Sequence, residues 1–251
     1  MIRLILLALL ALAGAPLQAA PTELLLVAPD DATLAPVLKK LADARSESRA
    51  AWTYWFGQLH GKSVVLTRTE GDPLNAIAAT TLAVRRHQPK LIVVFGTARA
   101  HNPALRAHDV VVSEKFVAFD GLVSPPTRLG GGSDSLTWKK LPHLLMTAGE
   151  RDAAAPFFPA SSTALAVART LSAERGRVII GALGSANQVN READRIAWLH
   201  AQWGTSCEDD ESAHVAGVGK LLDTPVIGFR VIDGAPEEAA ALVLKFVESW
   251  K

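Results

Sequence analysis

The chain has 251 residues, of which 49% are hydrophobic and 20% charged, and its formal net charge is +1. That composition is ordinary for a folded globular chain, and the near-zero charge removes the electrostatic case for a nucleic-acid partner. Cys207 is the only cysteine, which excludes an internal disulfide framework; a small buried residue is expected there rather than a reactive thiol.

In chain order, the first signal is targeting. Arg3 precedes an unbroken apolar run, Leu4 to Ala13, which Gly14 and Pro16 break before the small residues Ala19 and Ala20. This pattern predicts a secretory signal peptide over residues 1–20 and a periplasmic destination. The apolar run is too short for a stable membrane span. No later stretch approaches ~18 consecutive apolar residues, so no membrane partner is expected once the signal is removed. Residues 21–251 then suffice for one α/β domain.

Glu23 to Ala28 reads as a buried strand ending in the turn Pro29-Asp30-Asp31, and residues 34–48 show helical spacing. Ser63 to Thr67 is a β-branched strand. Gly71-Asp72-Pro73 opens a helix through about His87, with Pro73 suited to a first turn. Leu91 to Phe95, closed by Gly96, and Val110 to Val112 are continuous apolar strands. Residues 120–160 are irregular, marked by Pro125-Pro126 and Gly130-Gly131-Gly132, and a loop of that length in a compact domain is expected to be functional, for instance as a lid, or disordered. A helix near 161–175, a strand from Arg177 to Gly181, helices near 191–203 and 211–222, a strand from Val226 to Ile232 and a helix near 236–250 complete the pattern. Apolar strands alternating with helices predict an α/β fold with a mostly parallel, mixed central sheet flanked by helices on both sides.

Several familiar motifs are excluded by their own requirements. Gly61-Lys62-Ser63 runs into a strand, and position 56 is Phe, so the spacing of a phosphate-binding loop is missing. No G-x-S-x-G elbow exists for a serine hydrolase. Glu211-Ser212-Ala213-His214 has the Glu-x-x-His form of carboxylate-bridged metal bundles, but it occurs once. No metal or other cofactor is called for. The run Glu208-Asp209-Asp210-Glu211 falls where a strand hands over to a helix. Asp233 follows the strand Val226 to Ile232, and Asp31 follows the first strand. Carboxylates at strand carboxyl ends are candidate proton donors or ligand anchors, because open α/β sheets bind ligands along that edge.

Taken together, several segments resemble the nucleoside phosphorylase superfamily, and most of all its methylthioadenosine/S-adenosylhomocysteine nucleosidases. Thr69 to Ala76 resembles the family's glycine turn, Phe95 to His101 its Gly-Ser/Thr-Ala-Gly segment, and His108 to Ser113 the strand that follows. Gly184 to Glu192 resembles the purine-binding segment, Glu208 to Ala213 the Glu-Met-Glu ribose motif, and Arg230 to Gly234 the strand end carrying the catalytic aspartate. The resemblance spans about Glu23 to Lys251. It implies that Asp233 protonates the departing purine, that Glu211 grips the ribose and that Asp31 activates the attacking water. It further implies substrate contacts from Asp209, Asp210, Gln188, Thr97, Gly71 and Arg99.

The register set by Pro225 puts Glu211 on the second Glu of the ribose motif, Asp209 on the first, Asp210 in place of Met, and Gly234 on the catalytic aspartate, one residue after Asp233. Gln188 stands where relatives carry an aromatic that stacks on the purine, and Arg99 where they carry glycine. The expected function is hydrolysis of the N-ribosidic bond of a purine nucleoside or thionucleoside by a homo-oligomer. The alternatives are a phosphate-dependent phosphorylase, which Arg99, Thr97 and the Gly71 turn would suit, and a nucleoside-binding protein whose site no longer catalyses.

Overall fold

The computed structural model describes residues 22–147, 150–151 and 157–251. The expected signal peptide and parts of the long loop lie outside the described residues. Among the described residues, no helix is long and apolar enough to cross a membrane.

Ten strands form one sheet: β1 (Leu24–Ala28), β2 (Ala42–Arg49), β3 (Trp52–Leu59), β4 (Lys62–Arg68), β5 (Leu91–Ala100), β6 (Val110–Ala118), β7 (Phe158–Pro159), β8 (Val178–Ser185), β9 (Cys207–Asp209) and β10 (Val226–Ile232). Among the described residues six α-helices accompany them: α1 (Asp31–Leu38), α2 (Pro73–His87), α3 (Ser162–Ala168), α4 (Ala193–Trp203), α5 (Ser212–Leu221) and α6 (Pro236–Ser249). Parallel pairing holds the centre, where β1 joins β4 and β5, β5 joins β10, and β8 joins β6 and β9. Antiparallel pairs add the β4-β3-β2 flank and the contacts of β9 with β5 and of β10 with β6. The strands β5, β10, β6, β8 and β9 therefore pair in a closed ring, and β1 to β4 extend from it as a wing.

The two faces of the sheet carry different helices. One apolar layer packs Leu24, Leu26, Phe95 and Phe229 against Leu34 and Val37 of α1, Ala164 of α3 and Leu242, Val243 and Phe246 of α6. The other packs Leu25, Val27, Ile92 and Val94 against Ala76, Ala83 and Val84 of α2 and Ala213, Val215 and Ala216 of α5. Strands buried on both faces explain the unbroken apolar runs of β1 and β5, since neither face offers a position for a solvated side chain. Local signals set the boundaries of α2. The Asp72 side chain accepts from the Asn75 N–H at 3.0 Å, Pro73 fills the first turn, and Gln88 ends the helix in a left-handed conformation with φ 46°.

The expected helix over 34–48 is corrected. Only Asp31–Leu38 is helical, and Ala42–Arg49 is the outer strand of the sheet, paired with β3 through a tight turn at Ala50, φ 51°. It is exposed along almost its whole length, so it carries no apolar alternation for a sequence reading to find. A register shift between Ala42 and Arg45 interrupts its pairing, and charged residues line it, which are common devices for blunting a sheet edge. The expected strand at Val110 to Val112 runs on to Ala118, and the helix expected near 161–175 stops at Ala168.

Candidate active site

The site arises from how β5 divides its edges. Along one edge β5 pairs with β10 from Ile92 to Ala98. The opposite edge pairs with β1 only from Leu91 to Val94, and with β9 only at Arg99 and Ala100. Between those stretches β1 and β9 diverge, and a crevice opens beside Gly96, Thr97 and Ala98. This is the kind of switch point at which open α/β sheets place ligands. A cavity of about 370 Å³ occupies it, lined by Pro29, Asp30, Glu70, Gly71, Thr97, Ala98, Arg99, Glu208 to Glu211, Arg230, Asp233 and Gly234. That volume lies within the range of small-molecule sites.

The floor is a buried charge cluster around Arg230, whose side chain is 1% exposed. Arg230 Nε donates to Ser212 Oγ at 2.9 Å and lies 3.1 Å from Asp209 Oδ2, while Nη2 donates to Glu211 Oε1 at 3.2 Å. Asp209 Oδ1 also accepts from Ser185 Oγ at 2.9 Å and from the N–H groups of Glu211 at 2.8 Å and Ser212 at 2.7 Å, which fixes the turn into α5. The Thr69 hydroxyl sits between the Ala28 carbonyl and the Glu211 carboxylate, joining this cluster to the ends of β1 and β4. Burial alone would lower the pKa of Arg230, but the charges of Asp209 and Glu211 outweigh it and raise the pKa. For Glu211 burial outweighs Arg230 and Thr69, and its pKa is raised. Gly96, opposite Arg230 in the β5–β10 register, leaves the space that the guanidinium fills. A Cβ at position 96 would lie 2.3 Å from Arg230 Nη1.

A second chain of contacts runs up one wall. Thr205 Oγ1 meets His101 Nδ1 at 2.7 Å, and His101 Nε2 meets Glu208 Oε2 at 3.0 Å. Glu208 Oε1 accepts from Arg99 Nε at 3.1 Å and from the Asn190 N–H at 3.1 Å, and the Asn190 side chain donates to Oε2. Burial would raise the pKa of Glu208, yet the hydrogen bonds from His101 and Asn190 prevail and hold it below the ordinary value. Arg99 itself is 45% exposed and faces the cavity.

Two lining carboxylates have no partner for their side chains among the described residues: Asp210, which is half-buried, and Asp233, which is exposed at the rim. Burial first, and the charge of Asp209 second, raise the pKa of Asp210. Asp233 occupies a left-handed turn, φ 43°, held by its N–H donating to the Ala98 carbonyl at 3.1 Å. That turn keeps it at the cavity although it stands one residue before Gly234. A Cβ at Gly234 would lie 2.4 Å from Val231 Cγ1, so the turn as built has no room for a side chain there.

Of the residues singled out in the sequence, Gly71, Thr97, Arg99, Asp209, Asp210, Glu211 and Asp233 converge on this cavity. Gly71 holds φ 62°, a conformation few side chains tolerate. Two residues do not converge. Asp31 sits in the first turn of α1, largely exposed and ion-paired with Arg68, while Asp30 caps α1 and lines the cavity instead. Gln188 is exposed and lines a separate shallow depression with Trp138, Asn190 and Arg195. Sequence reasoning gave no role to Thr69, His101, Ser212 and Arg230, and reached Glu208 only as part of the acidic run. Of the first four, Arg230 carried a signal, as an arginine within an otherwise apolar strand. Cys207 is fully buried, with its thiol pKa well above the ordinary value because of that burial.

Comparison with known proteins converges on one family. The model of the phosphorylase superfamily matches residues 23–251. The chain is 30% identical over 90 residues to a 5'-methylthioadenosine/S-adenosylhomocysteine nucleosidase from a Marinomonas strain, covering 36% of this chain and 39% of that protein. It is 26% identical over 196 residues to the enzyme of the same name from Baumannia cicadellinicola, covering 77% of this chain and 78% of that one. The first of these alignments thus spans only about two-fifths of that relative, 39%. Among solved structures, the nucleosidase of that name from Colwellia psychrerythraea in complex with adenine superposes with a TM-score of 0.73 at 21% identity, covering 92% of this chain and 96% of that one.

Proposed function

Because the chain belongs to the phosphorylase superfamily, we propose that it hydrolyses the N-ribosidic bond of a purine nucleoside or thionucleoside. The observation that carries this reading is the charge of the cavity. Seven carboxylates line it against two arginines: Asp30, Glu70, Glu208, Asp209, Asp210, Glu211 and Asp233 against Arg99 and Arg230. Arg230 is committed to Asp209 and Glu211, and Arg99 is tied at Nε to Glu208. Cleavage of the bond develops positive charge on the ribose, and a cavity with surplus negative charge stabilises it. The same surplus repels a phosphate nucleophile, which favours hydrolysis over phosphorolysis.

The roles follow from which groups are free. Glu211, anchored by Arg230 and Thr69 and buried under the cavity, is positioned to accept from ribose hydroxyls. A leaving purine needs a proton from an acid whose pKa lies toward the working pH. Asp210 and Asp233 are the two unpartnered carboxylates, and the raised pKa of Asp210 suits it to that task better than the exposed Asp233. Asp30 rather than Asp31 is placed to orient water. We also propose, from the N-terminal sequence and the family, that the protein is exported to the periplasm and acts as a homo-oligomer.

The test is a product assay on the mature protein. Methylthioadenosine, S-adenosylhomocysteine, adenosine and inosine are incubated with and without phosphate, and free base is quantified by chromatography. Base released equally in both conditions is expected. Release only with phosphate would move the assignment to phosphorolysis. No release from folded protein would leave a nucleoside-binding role to be measured by calorimetry.

A further inference from the structure

The wall of the cavity carries a feature that hydrolysis does not require. Glu208 has its oxygens filled: Oε1 accepts from Arg99 Nε and the Asn190 N–H, and Oε2 from Asn190 Nδ2 and His101 Nε2. A carboxylate offers about four acceptor sites, so Glu208 has none left for a ligand. Its part is to hold Arg99, and it is itself fixed by His101, which Thr205 orients from behind. Arg99 Nε is spent on that hold. The terminal amino groups of Arg99 have no partner among the described residues, and the side chain lines the cavity. The result is a planar donor fork clamped at its base and presented to the ligand. Arginine donates and never accepts, so the complementary ligand group is an acceptor and not an amine.

We propose that Arg99 is a specificity-determining residue that takes an sp² oxygen of the substrate, so that the protein favours a nucleoside presenting such an oxygen over its counterpart lacking it. The inference rests on the nucleosidase reading for its substrate class. Two kinds of nucleoside carry that chemistry: one with an oxo group on the purine ring, and one with a carboxylate on the sugar tail. Glu208 and His101 are positioning residues that act through Arg99. Of the two arginines that line the cavity, Arg230 is committed to Asp209 and Glu211, which leaves Arg99 as the charged donor for a ligand oxygen. A charged donor of this kind discriminates by about 10- to 100-fold between a ligand that satisfies it and one that does not.

The experiment compares kcat/KM for two matched pairs: inosine against adenosine, and adenosine 5'-carboxylate against adenosine. In the wild-type protein one pair is expected to show a preference of about 10- to 100-fold for the oxygen-bearing member, and which pair shows it identifies the source of the oxygen. Arg99→Met, close in length but without donors, should abolish that preference, read as the ratio of kcat/KM within the pair so that a general change in activity does not count. Arg99→Lys keeps the charge without the planar fork and should retain only part of the preference. It also carries the test if Arg99→Met does not fold. Thermal melting of both variants shows that the fold stands. No preference in either pair, or a preference that survives both substitutions, would overturn the inference while the nucleosidase reading stands. If the wild-type protein cleaves none of these substrates, that reading fails instead. The inference is then decided by calorimetry with the same two pairs as ligands, where Arg99→Met should weaken the oxygen-bearing member of one pair about 10-fold or more relative to its counterpart; equal effects within both pairs would overturn it.

Discussion

The floor and the rim of the cavity are built from neighbouring residues of one short acidic run, yet they obey opposite rules. On the floor, Asp209 and Glu211 are buried and engaged by Arg230, Ser212, Ser185 and Thr69. At the rim, Asp210 lies between them in sequence and has no side-chain partner among the described residues, and Asp233 lines the same cavity from the end of β10 under the same condition. A buried charge that loses its partner is costly, so floor residues are fixed by the fold. A half-exposed charge with water at hand can stay unpaired and meet a ligand instead. The difference separates what holds the cavity open from what reacts in it, and it yields opposite expectations for stability and activity.

The sharpest way to break the comparison is at the rim. Asp210→Asn should lower kcat by roughly 10²- to 10⁴-fold, the range for loss of a general acid, with the melting temperature unchanged or higher. The acid must be protonated to act. Activity in the unsubstituted protein should therefore fall as pH rises through the raised pKa of Asp210, and that limb should vanish from the residual activity of the variant. Full activity in Asp210→Asn beside loss in Asp233→Asn would transfer the role to Asp233. On the floor, Arg230→Met should cost about 3–5 kcal/mol in chemical denaturation, because it strands Asp209 and Glu211. A change within error would show that the cluster is not what holds the floor. Gly96→Ala tests the same cluster more gently. The added Cβ would meet Arg230 Nη1 at 2.3 Å, and overpacking of this kind costs roughly 1–3 kcal/mol.

The smallest effect is expected outside the cavity, where the start of β6 meets the end of β10. Arg177 donates to Asp109 at that point and holds its carboxyl at about 2, and the Asp109 carbonyl accepts from the Ile232 N–H at 2.8 Å. A depressed carboxyl pKa adds stability that is present above the unfolded value near ~4 and lost as pH falls toward the folded one. Asp109→Asn should flatten the acid side of the stability profile between those values. Because Arg177 is exposed and solvated, the change should be modest, and an unaltered profile would show the pair to be screened.

The parts of this molecule legible in its sequence are those that burial dictates. β1, the first half of β5 and, apart from Arg230, β10 are apolar because helices cover both faces, and α2 announces itself through Asp72 and Pro73. The outer strand Ala42–Arg49 was illegible, because an exposed edge has no burial to impose alternation. The three-residue strand Cys207–Asp209 is too short to show a period at all, yet it carries two of the lining carboxylates. In the site, Asp209, Asp210, Glu211 and Asp233 could be found as acidic residues at strand ends. Asp31 and Gln188 were equally plausible by type, but the first turn of α1 sends Asp31 to Arg68, and Gln188 faces outward from the loop after β8.

By itself, then, the sequence determined the α/β alternation, the family and the carboxyl-end acidic run, since hydrophobic runs, caps and local motifs are properties of neighbours along the chain. Tertiary structure alone decided which carboxylates are paired. Arg230 meets Glu211 across 19 positions, Arg99 meets Glu208 across 109, and Thr69 meets Glu211 across 142. Whether a carboxylate is neutralised or free to act depends on those distant partners, and no local pattern encodes them.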